Sequence, residues 1–506
     1  MLLLSLLFVA GACSDGEVYE TKKETPNTDN SKNQTTPTIS NEIKLADQFA
    51  IDALDVYYLW IDDDDIKTAI DTRLAPDTCT NPIATIQEVR ASEDRWTSLY
   101  DDASTLTSSL NGTKTTMGQY LQAGAISNQD GTYFLVVNYV YPGSPAEKAG
   151  VKRGDIYLTY NGADITDSNL EEAYYGNTAA TYGLAHIEVA TDGFYIKDDS
   201  TTVSLTPTEL YEDPVICTKT FDVDGKKVGY LAYTGFDMKS CSKLIEVCKA
   251  FKAEGVSELV LDLRYNGGGY VFTEELLASM LAPQSNVAAG DVYEKEIYND
   301  LLTKHWGDTS TSYFTTNFSH KDDDDVTTNY STQDANIGLQ KIYALVSDNT
   351  ASAAESILVG LMPYMVIQIF GSQTHGKFCT GMILAPDDVY KSTPEAIDDW
   401  CIYVMIGSYS DRDGNNPCRP DGLTPDVTVS DNPFDGYQLG DENETMLKKA
   451  LKAAGKSYTT ISYTTISYTT TRSFSRAPYQ KTRAIHDRTF GMRIRTDVPQ
   501  MTVTKE

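Results

Sequence analysis

The sequence predicts a multidomain α/β (α+β) chain, and three observations predict it. Apolar β-branched runs alternate with helical stretches between Val228 and Phe370, the pattern of strands connected by helices. The chain has 506 residues, 41% of them hydrophobic, which is too long for one ordinary core and rich enough to bury two to four. Finally, composition shifts at both ends: Ser14–Ser40 and the region after Ala453 are polar and poor in large apolar residues, so the folded part lies between them.

Residues 341–381 organise the rest. The apolar run Ile342–Val346 reads as a strand and ends in the polar turn Ser347-Asp348-Asn349-Thr350. Ala351-Ser352-Ala353-Ala354-Glu355 then opens an apolar stretch to Met362, stopped by Pro363, which reads as a helix. A second β-branched run, Val366–Phe370, leads to Gly371 and a loop carrying His375-Gly376-Lys377. Ser352 therefore sits at a helix start between small neighbours, and Lys377 just beyond a core strand. A serine hydroxyl becomes a nucleophile when a base takes its proton. A lysine serves as that base where burial disfavours the ammonium. The N–H groups at the helix start, Ala353 first, are able to hold an oxyanion. Taken singly, Ser352 reads as a packing residue and Lys377 as a solvated loop lysine.

A second stretch, Ser257–Tyr270, runs an apolar strand into Asp262-Leu263-Arg264-Tyr265-Asn266-Gly267-Gly268-Gly269. Three glycines mark either a strand-ending turn or a backbone that lets a ligand approach. In the second case Gly267 or Gly268 supplies another oxyanion N–H.

These motifs resemble those of the carboxyl-terminal processing (tail-specific) proteases, serine peptidases with a Ser/Lys dyad. In that family a strand ending Asp-Leu-Arg-x-Asn-x-Gly-Gly precedes a Ser-Ala-Ser-Ala-Ser-Glu-like nucleophile motif, and the lysine follows in a Gly-Lys turn 25 residues beyond the serine. Here the motifs are DLRYNGGG and TASAAE, and Lys377 lies 25 residues after Ser352. The resemblance implies a ClpP/crotonase-like protease core with Ser352 and Lys377 catalytic and Gly267, Gly268 and Ala353 around the oxyanion. Gly422-Leu423-Thr424-Pro425-Asp426-Val427 is similar to the segment that closes the family's catalytic domain. One position departs: the family often carries Gln or Glu four residues after the lysine, and here stands Gly381. The lysine then takes its orientation from elsewhere, or works less well.

Towards the N-terminus, Met1–Ala12 is almost wholly apolar and ends Ala10-Gly11-Ala12 before Cys13, which resembles a bacterial lipoprotein signal. Cleavage before Cys13 would leave a lipidated cysteine and a flexible tether over 13–40. A plain secretory signal is the alternative. The lipoprotein signal places the expected protein in a bacterial cell envelope, lipid-anchored at the outer membrane on its periplasmic or its surface face; the acidic residues Asp15 and Glu17 resemble export signals of surface lipoproteins. Residues 41–110 form a predicted helical subdomain, its first helix carried by Ile43, Leu45, Phe49, Ile51, Leu54, Val56, Tyr57 and Trp60. The run Asp62–Asp65 reads as a solvated turn.

Residues 111–207 contain Tyr141-Pro142-Gly143-Ser144-Pro145-Ala146-Glu147-Lys148-Ala149-Gly150-Val151-Lys152-Arg153-Gly154-Asp155-Ile156, a short helix between glycine turns feeding a strand. This resembles a PDZ domain, which takes peptide ends as an added strand. Met117, Gly118, Gln119, Tyr120 and Leu121 are the candidate carboxylate loop and peptide-binding strand. The alternative is a PDZ that only props the protease core.

The core is expected over 208–453, with a helix at Ser240–Lys252 and a closing helix at Asp441–Ala453. Residues 283–340, polar and rich in Tyr, Asp and Thr, read as loops that wall or cover the site. In the tail, 454–506, Ser457-Tyr458-Thr459-Thr460-Ile461 recurs twice with a final substitution, and a basic stretch, Arg472–Arg495, follows. Such short repeats make no domain, and the tail reads as mostly disordered; a self-cleaved or autoinhibitory role has no support in the sequence.

A net charge of −31 argues against a nucleic-acid partner and for an extracytoplasmic surface. Of eight cysteines, Cys241 and Cys248 lie seven apart on a helix, roughly 10 Å by rise, too far to bridge. Cys401 and Cys418 are able to pair. No CxxC or HExxH pattern occurs, so neither a metal nor another cofactor is expected; Asp411–Asn416 reads as a turn rather than a calcium loop. His375 offers a rival Ser/His mechanism, and the lysine is preferred for its spacing. The reading is a membrane-tethered endopeptidase acting on proteins with accessible C-termini. A non-catalytic peptide-binding lipoprotein on the same fold, and an envelope scaffold, are the alternatives.

Overall fold

A computed structural model describes residues 39–110, 112–126, 131–190, 193–322, 326–458, 480–481, 490–496, 498 and 501. The signal segment, Cys13 and nearly all of the tether lie outside the described residues, as does most of the repeat region.

The largest core is built on a six-stranded sheet in the order 215–223, 226–233, 256–262, 341–346, 366–371, 427–428. Its first pair is antiparallel and the remaining pairings are parallel. Parallel strands need both faces covered, and the residues alternate accordingly. Leu231, Tyr233, Leu259, Leu261, Ile342, Ala344 and Val346 face a core shared with the helices Cys241–Glu254, Val271–Leu281 and Ala353–Leu361. Tyr230, Ala232, Val260, Tyr343 and Leu345 face the closing helix Thr445–Ala453. The Arg of DLRYNGGG ties these parts together. Arg264 is fully buried and pairs with Asp262 at 2.8 Å, with Asp431 at 2.7 Å and with Glu444, which also caps the closing helix, at 2.7 Å.

A second sheet packs beyond the helices, in the order 269–270, 493–494, 379–384, 401–411, 292–298, 311–313, with Ser98–Tyr100 paired to Cys401–Asp411. The N-terminal helices Asn41–Tyr57, Asp64–Arg73, Pro82–Val89 and Ala103–Leu110 cover its outer face; Phe49, Leu54, Tyr57 and Ile86 pack with Ile402, Val404 and Ile406. The Asp62–Asp65 run is partly used: Asp63 caps the second of these helices.

The third sheet, 119–125, 132–140, 163–166, 156–160, 180–190 and 193–205, is the domain read as PDZ. Its incoming and outgoing strands, Thr113–Thr116 and Thr208–Tyr211, pair antiparallel and close it off from the core. A buried side chain joins it to the DLRYNGGG motif: Arg153 donates to Tyr265 Oη at 2.7 Å and pairs with Asp431 at 2.6 Å.

Three expectations are corrected. Within 283–340, residues Val292–Tyr298 form a strand interior to the second sheet. It was hidden because its inward positions include Glu294 and Glu296 rather than apolar residues. Cys401 and Cys418 are both free, one in the core beneath the N-terminal helices and the other in the core shared with helix Ala353–Leu361. The basic end of the tail is not loose chain: Arg493–Ile494 is a strand of the second sheet, and residues 491–495 are buried, with Arg493 fully so.

Candidate active site

Strand Lys341–Val346 turns through Ser347–Ala351 into helix Ala353–Leu361, and Ser352 stands at the corner. Its backbone lies at φ 65°, ψ −121°, a region that costs a non-glycine residue about 1–3 kcal/mol. Such strain at a strand-to-helix corner is the geometry that thrusts a serine out of the helix. The corner works because its neighbours are small. A Cβ on Gly268 (φ 111°) would lie 2.7 Å from Ser352 Cβ, so no other residue fits there.

Glu355 holds the corner to the lysine turn. Its fully buried carboxylate accepts from the backbone N–H of Ser352 at 2.8 Å, of Gly376 at 2.7 Å and of Lys377 at 2.9 Å, and from the Thr374 hydroxyl. Burial raises the Glu355 carboxyl above its ordinary range, and these donors oppose the rise.

The Lys377 side chain is fully buried. Desolvation pushes its amine down from the ordinary 10.5 to about 7, and neighbouring Arg493 helps, against the attraction of Asp94 and Glu355. The amine donates to Tyr403 Oη at 2.6 Å and lies 5.3 Å from the centre of the Trp96 ring. Tyr403 answers the question raised by Gly381. A Cβ at Gly381 would meet the Tyr403 ring at 2.5 Å and Met405 at 2.6 Å, so the space that a Gln or Glu would fill is occupied by a tyrosine from the neighbouring strand.

Around the expected oxyanion position, the N–H of Gly268 donates to Asn266 Oδ1 at 2.9 Å and is spent. Among the described residues the N–H groups of Gly267 and Ala353 take no protein acceptor. Ser352 Oγ is buried without a hydrogen-bond partner, and Lys377 Nζ is turned to Tyr403. His375 stacks edge-on against Phe490, with ring centres 5.2 Å apart.

On the PDZ domain, Met117 and Leu121 are buried core residues, and Gly118 (φ 72°) makes the turn before strand Gln119–Ala125. A Cβ on Gly118 would strike Ser144 Cβ at 2.2 Å. Gln119 accepts from the Tyr157 hydroxyl at 2.7 Å, and Tyr120 stacks on Tyr139 with ring centres 5.0 Å apart. Of the five, then, Met117 and Leu121 serve the core, while Gly118, Gln119 and Tyr120 shape the loop and the strand. No group of metal-ligating side chains occurs among the described residues, and Asp411 closes a turn by accepting from the N–H of Asp413 and Asn415.

Tyr403, Trp96, Glu355 and Thr374 are the residues that motif reading did not assign. Glu355 was visible at the end of TASAAE. Tyr403 and Trp96 carry no local signal, because they reach the lysine from other strands and loops.

The peptidase family S41 model matches residues 227–429, and a PDZ-domain model matches 136–175. The chain is 26% identical over 318 residues to a carboxyl-terminal-processing protease of Picosynechococcus sp., a match covering 61% of this chain and 64% of that protein. It is 24% identical to the carboxyl-terminal-processing protease of Synechocystis sp., covering 57% of each. The matched stretches thus span less than two thirds of those relatives. The crystal structure described as "Putative S41 protease" from Bacteroides fragilis superposes with a TM-score of 0.62 at 22% identity, covering 84% of this chain and 99% of that one, which establishes the shared fold.

Proposed function

Because the chain carries a peptidase family S41 domain and a PDZ domain and is homologous to carboxyl-terminal-processing proteases, we propose that it is a serine endopeptidase with a Ser352/Lys377 dyad. In this reading the PDZ domain captures the C-terminal end of a protein substrate and passes the chain to the dyad. The observation that carries it is the fully buried Lys377 amine, its charge disfavoured, tied through Glu355 to the strained corner at Ser352.

The chemistry follows from these groups. Neutral Lys377 takes the Ser352 proton as Oγ attacks the peptide carbonyl. The N–H groups of Gly267 and Ala353, which point to no protein acceptor, hold the oxyanion. The ammonium then returns its proton to the leaving amine, and water, deprotonated by the same lysine, releases the acyl group. The missing Ser352–Lys377 hydrogen bond is of the kind that tightens only with substrate. The non-catalytic alternative drew on Gly381, and Tyr403 fills that gap.

The test is hydrolysis of a small unfolded protein with an apolar C-terminus. Ser352→Ala and Lys377→Ala each lose at least about a thousandfold in kcat/KM while staying folded. Turnover that survives Ser352→Ala would overturn the mechanism. The envelope anchor belongs to the same proposal: cells expressing the chain should incorporate labelled palmitate into it, and Cys13→Ala should abolish the incorporation.

A further inference from the structure

The cleft between the two catalytic segments is not empty; the chain's own C-terminal residues lie in it. We propose that residues 490–494 are an intramolecular inhibitor that occupies the substrate strand position, with 480–481 seated on the PDZ edge. This inference rests on the serine-peptidase reading above.

Five observations carry it. Gln480–Lys481 pairs antiparallel with the edge of the PDZ strand Gln119–Ala125, at Ala125 and Gly124, as an added peptide strand does. Ten residues on, the chain lies against the oxyanion segment. Gly491 N donates to Gly267 O at 2.8 Å, Gly269 N donates to Met492 O at 2.7 Å, and Arg493–Ile494 runs parallel to Gly269–Tyr270. Its opposite edge meets the segment that follows the lysine: Ile494 pairs with Gly381, and Arg495 N donates to Gly381 O at 3.0 Å. The segment is therefore a strand inserted between the serine side and the lysine side of the site. A Cβ built at Gly491 would lie 4.0 Å from Lys377 Cδ and 3.7 Å from Trp96, and one built at Gly267 would lie 2.8 Å from the Phe490 ring. Ser352 and Lys377 are each fully shielded from solvent in this arrangement.

The seated strand is also bonded to the hydroxyl that holds the lysine. Tyr403 Oη accepts from Arg493 N at 2.9 Å and donates to Arg493 O at 3.1 Å. The Met492 carbonyl is held by Gly269 N–H, not by Gly267 or Ala353, and so is not presented for attack. The anchor is ionic. The Arg493 guanidinium enters a pocket of three buried carboxylates, at 2.9 Å from Glu274, 2.5 Å from Glu294 and 2.6 Å from Glu296, and Arg495 pairs with Glu296 at 3.1 Å. Three carboxylates buried together need cations, and the tail is what brings them.

Gly491→Pro in the full chain tests this. Gly491 has φ 75°, which proline cannot adopt, and its N–H bonds to Gly267, so the substitution unseats the strand without touching the catalytic groups or the Arg493 pocket. Phe490→Asp serves as a second variant. Two readings are taken: hydrogen–deuterium exchange of residues 264–270, and the rate at which a fluorophosphonate labels Ser352. The expected result is lost protection with labelling at least about tenfold faster than wild type, slowed again by a synthetic peptide of residues 490–496. Unchanged protection in both variants overturns the seat. Lost protection with an unchanged labelling rate overturns the inhibition. Lost protection with no labelling in any chain overturns the serine-peptidase reading, and the inhibitory role with it.

Discussion

Lys377→Met isolates the physical property on which the proposed chemistry depends. Methionine keeps the length and apolar stem of lysine, so the pocket of Trp96 and Tyr403 stays filled. In the unfolded chain a lysine titrates near ~10.4, whereas burial brings the folded amine to about 7. Folding at pH 8.5 therefore strips a proton from a group that prefers it by about 2 pH units, at about 1.4 kcal/mol each, a cost of about 3 kcal/mol. Losing the Lys377–Tyr403 hydrogen bond returns about 1 kcal/mol. Lys377→Met should thus be inactive yet more stable than wild type by about 2 kcal/mol at pH 8.5. The sign with pH is fixed. Between the folded and unfolded pKa values the unfolded chain holds the extra proton, so wild-type stability rises with pH relative to the variant. The gap narrows by about 1.4 kcal/mol per pH unit from pH 7 upward, and is flat below. Urea unfolding midpoints of both chains at pH 6, 7.5 and 9 measure it. A gap that does not change with pH, or a variant less stable at every pH, would refute a lysine held neutral by burial.

Further predictions concern turnover and the anchor. For a chain with the tail unseated, kcat/KM should rise with pH through about 7, because the base form of Lys377 appears above that value and is lost below it; a pH–rate profile flat from 6 to 8.5 would count against Lys377 as base. In the same unseated chain, Tyr403→Phe removes the hydroxyl that holds the amine, and kcat should fall by about 10- to 100-fold with KM little changed, read from steady-state kinetics. Arg493→Ala leaves Glu274, Glu294 and Glu296 with Arg495 alone and should cost about 3–5 kcal/mol in urea unfolding. Against the desolvation of burial, Arg495 and Arg493 hold the Glu296 carboxyl below its ordinary range; without Arg493 it takes up a proton at higher pH than in the wild type, so this loss should shrink as pH falls from neutral into the acid range.

The parts of the site that were legible in the sequence are those held in short, contiguous motifs. Ser352, Ala353 and Gly267 are set by local turns, and the serine–lysine spacing spans one helix and one strand, so the order of residues carries their geometry. The PDZ domain was legible through the glycine turns at Gly150 and Gly154, both at positive φ. What was not legible depends on partners far along the chain. Tyr403 reaches Lys377 across 26 residues, and Arg493 reaches its glutamates across 197 to 219. The strand Val292–Tyr298 looked like loop because it buries carboxylates for that arginine. The end of the tail looked unstructured because its order comes from two foreign strand edges, at Gly269 and at Gly381, not from a periodicity of its own.

The close packing of Tyr403 over Gly381 has a consequence for substitution at either position. The two positions compete for one volume: a Gln at 381 collides with the Tyr403 ring, and a small residue at 403 beside Gly381 leaves the amine unheld. Under the proposed chemistry, either single substitution should leave a poor enzyme. Residues 381 and 403 should therefore be exchangeable only as a pair. A Gly381→Gln/Tyr403→Ala double variant should recover turnover that neither single variant retains, so a glycine in this motif position says little about decay until the facing strand is read with it.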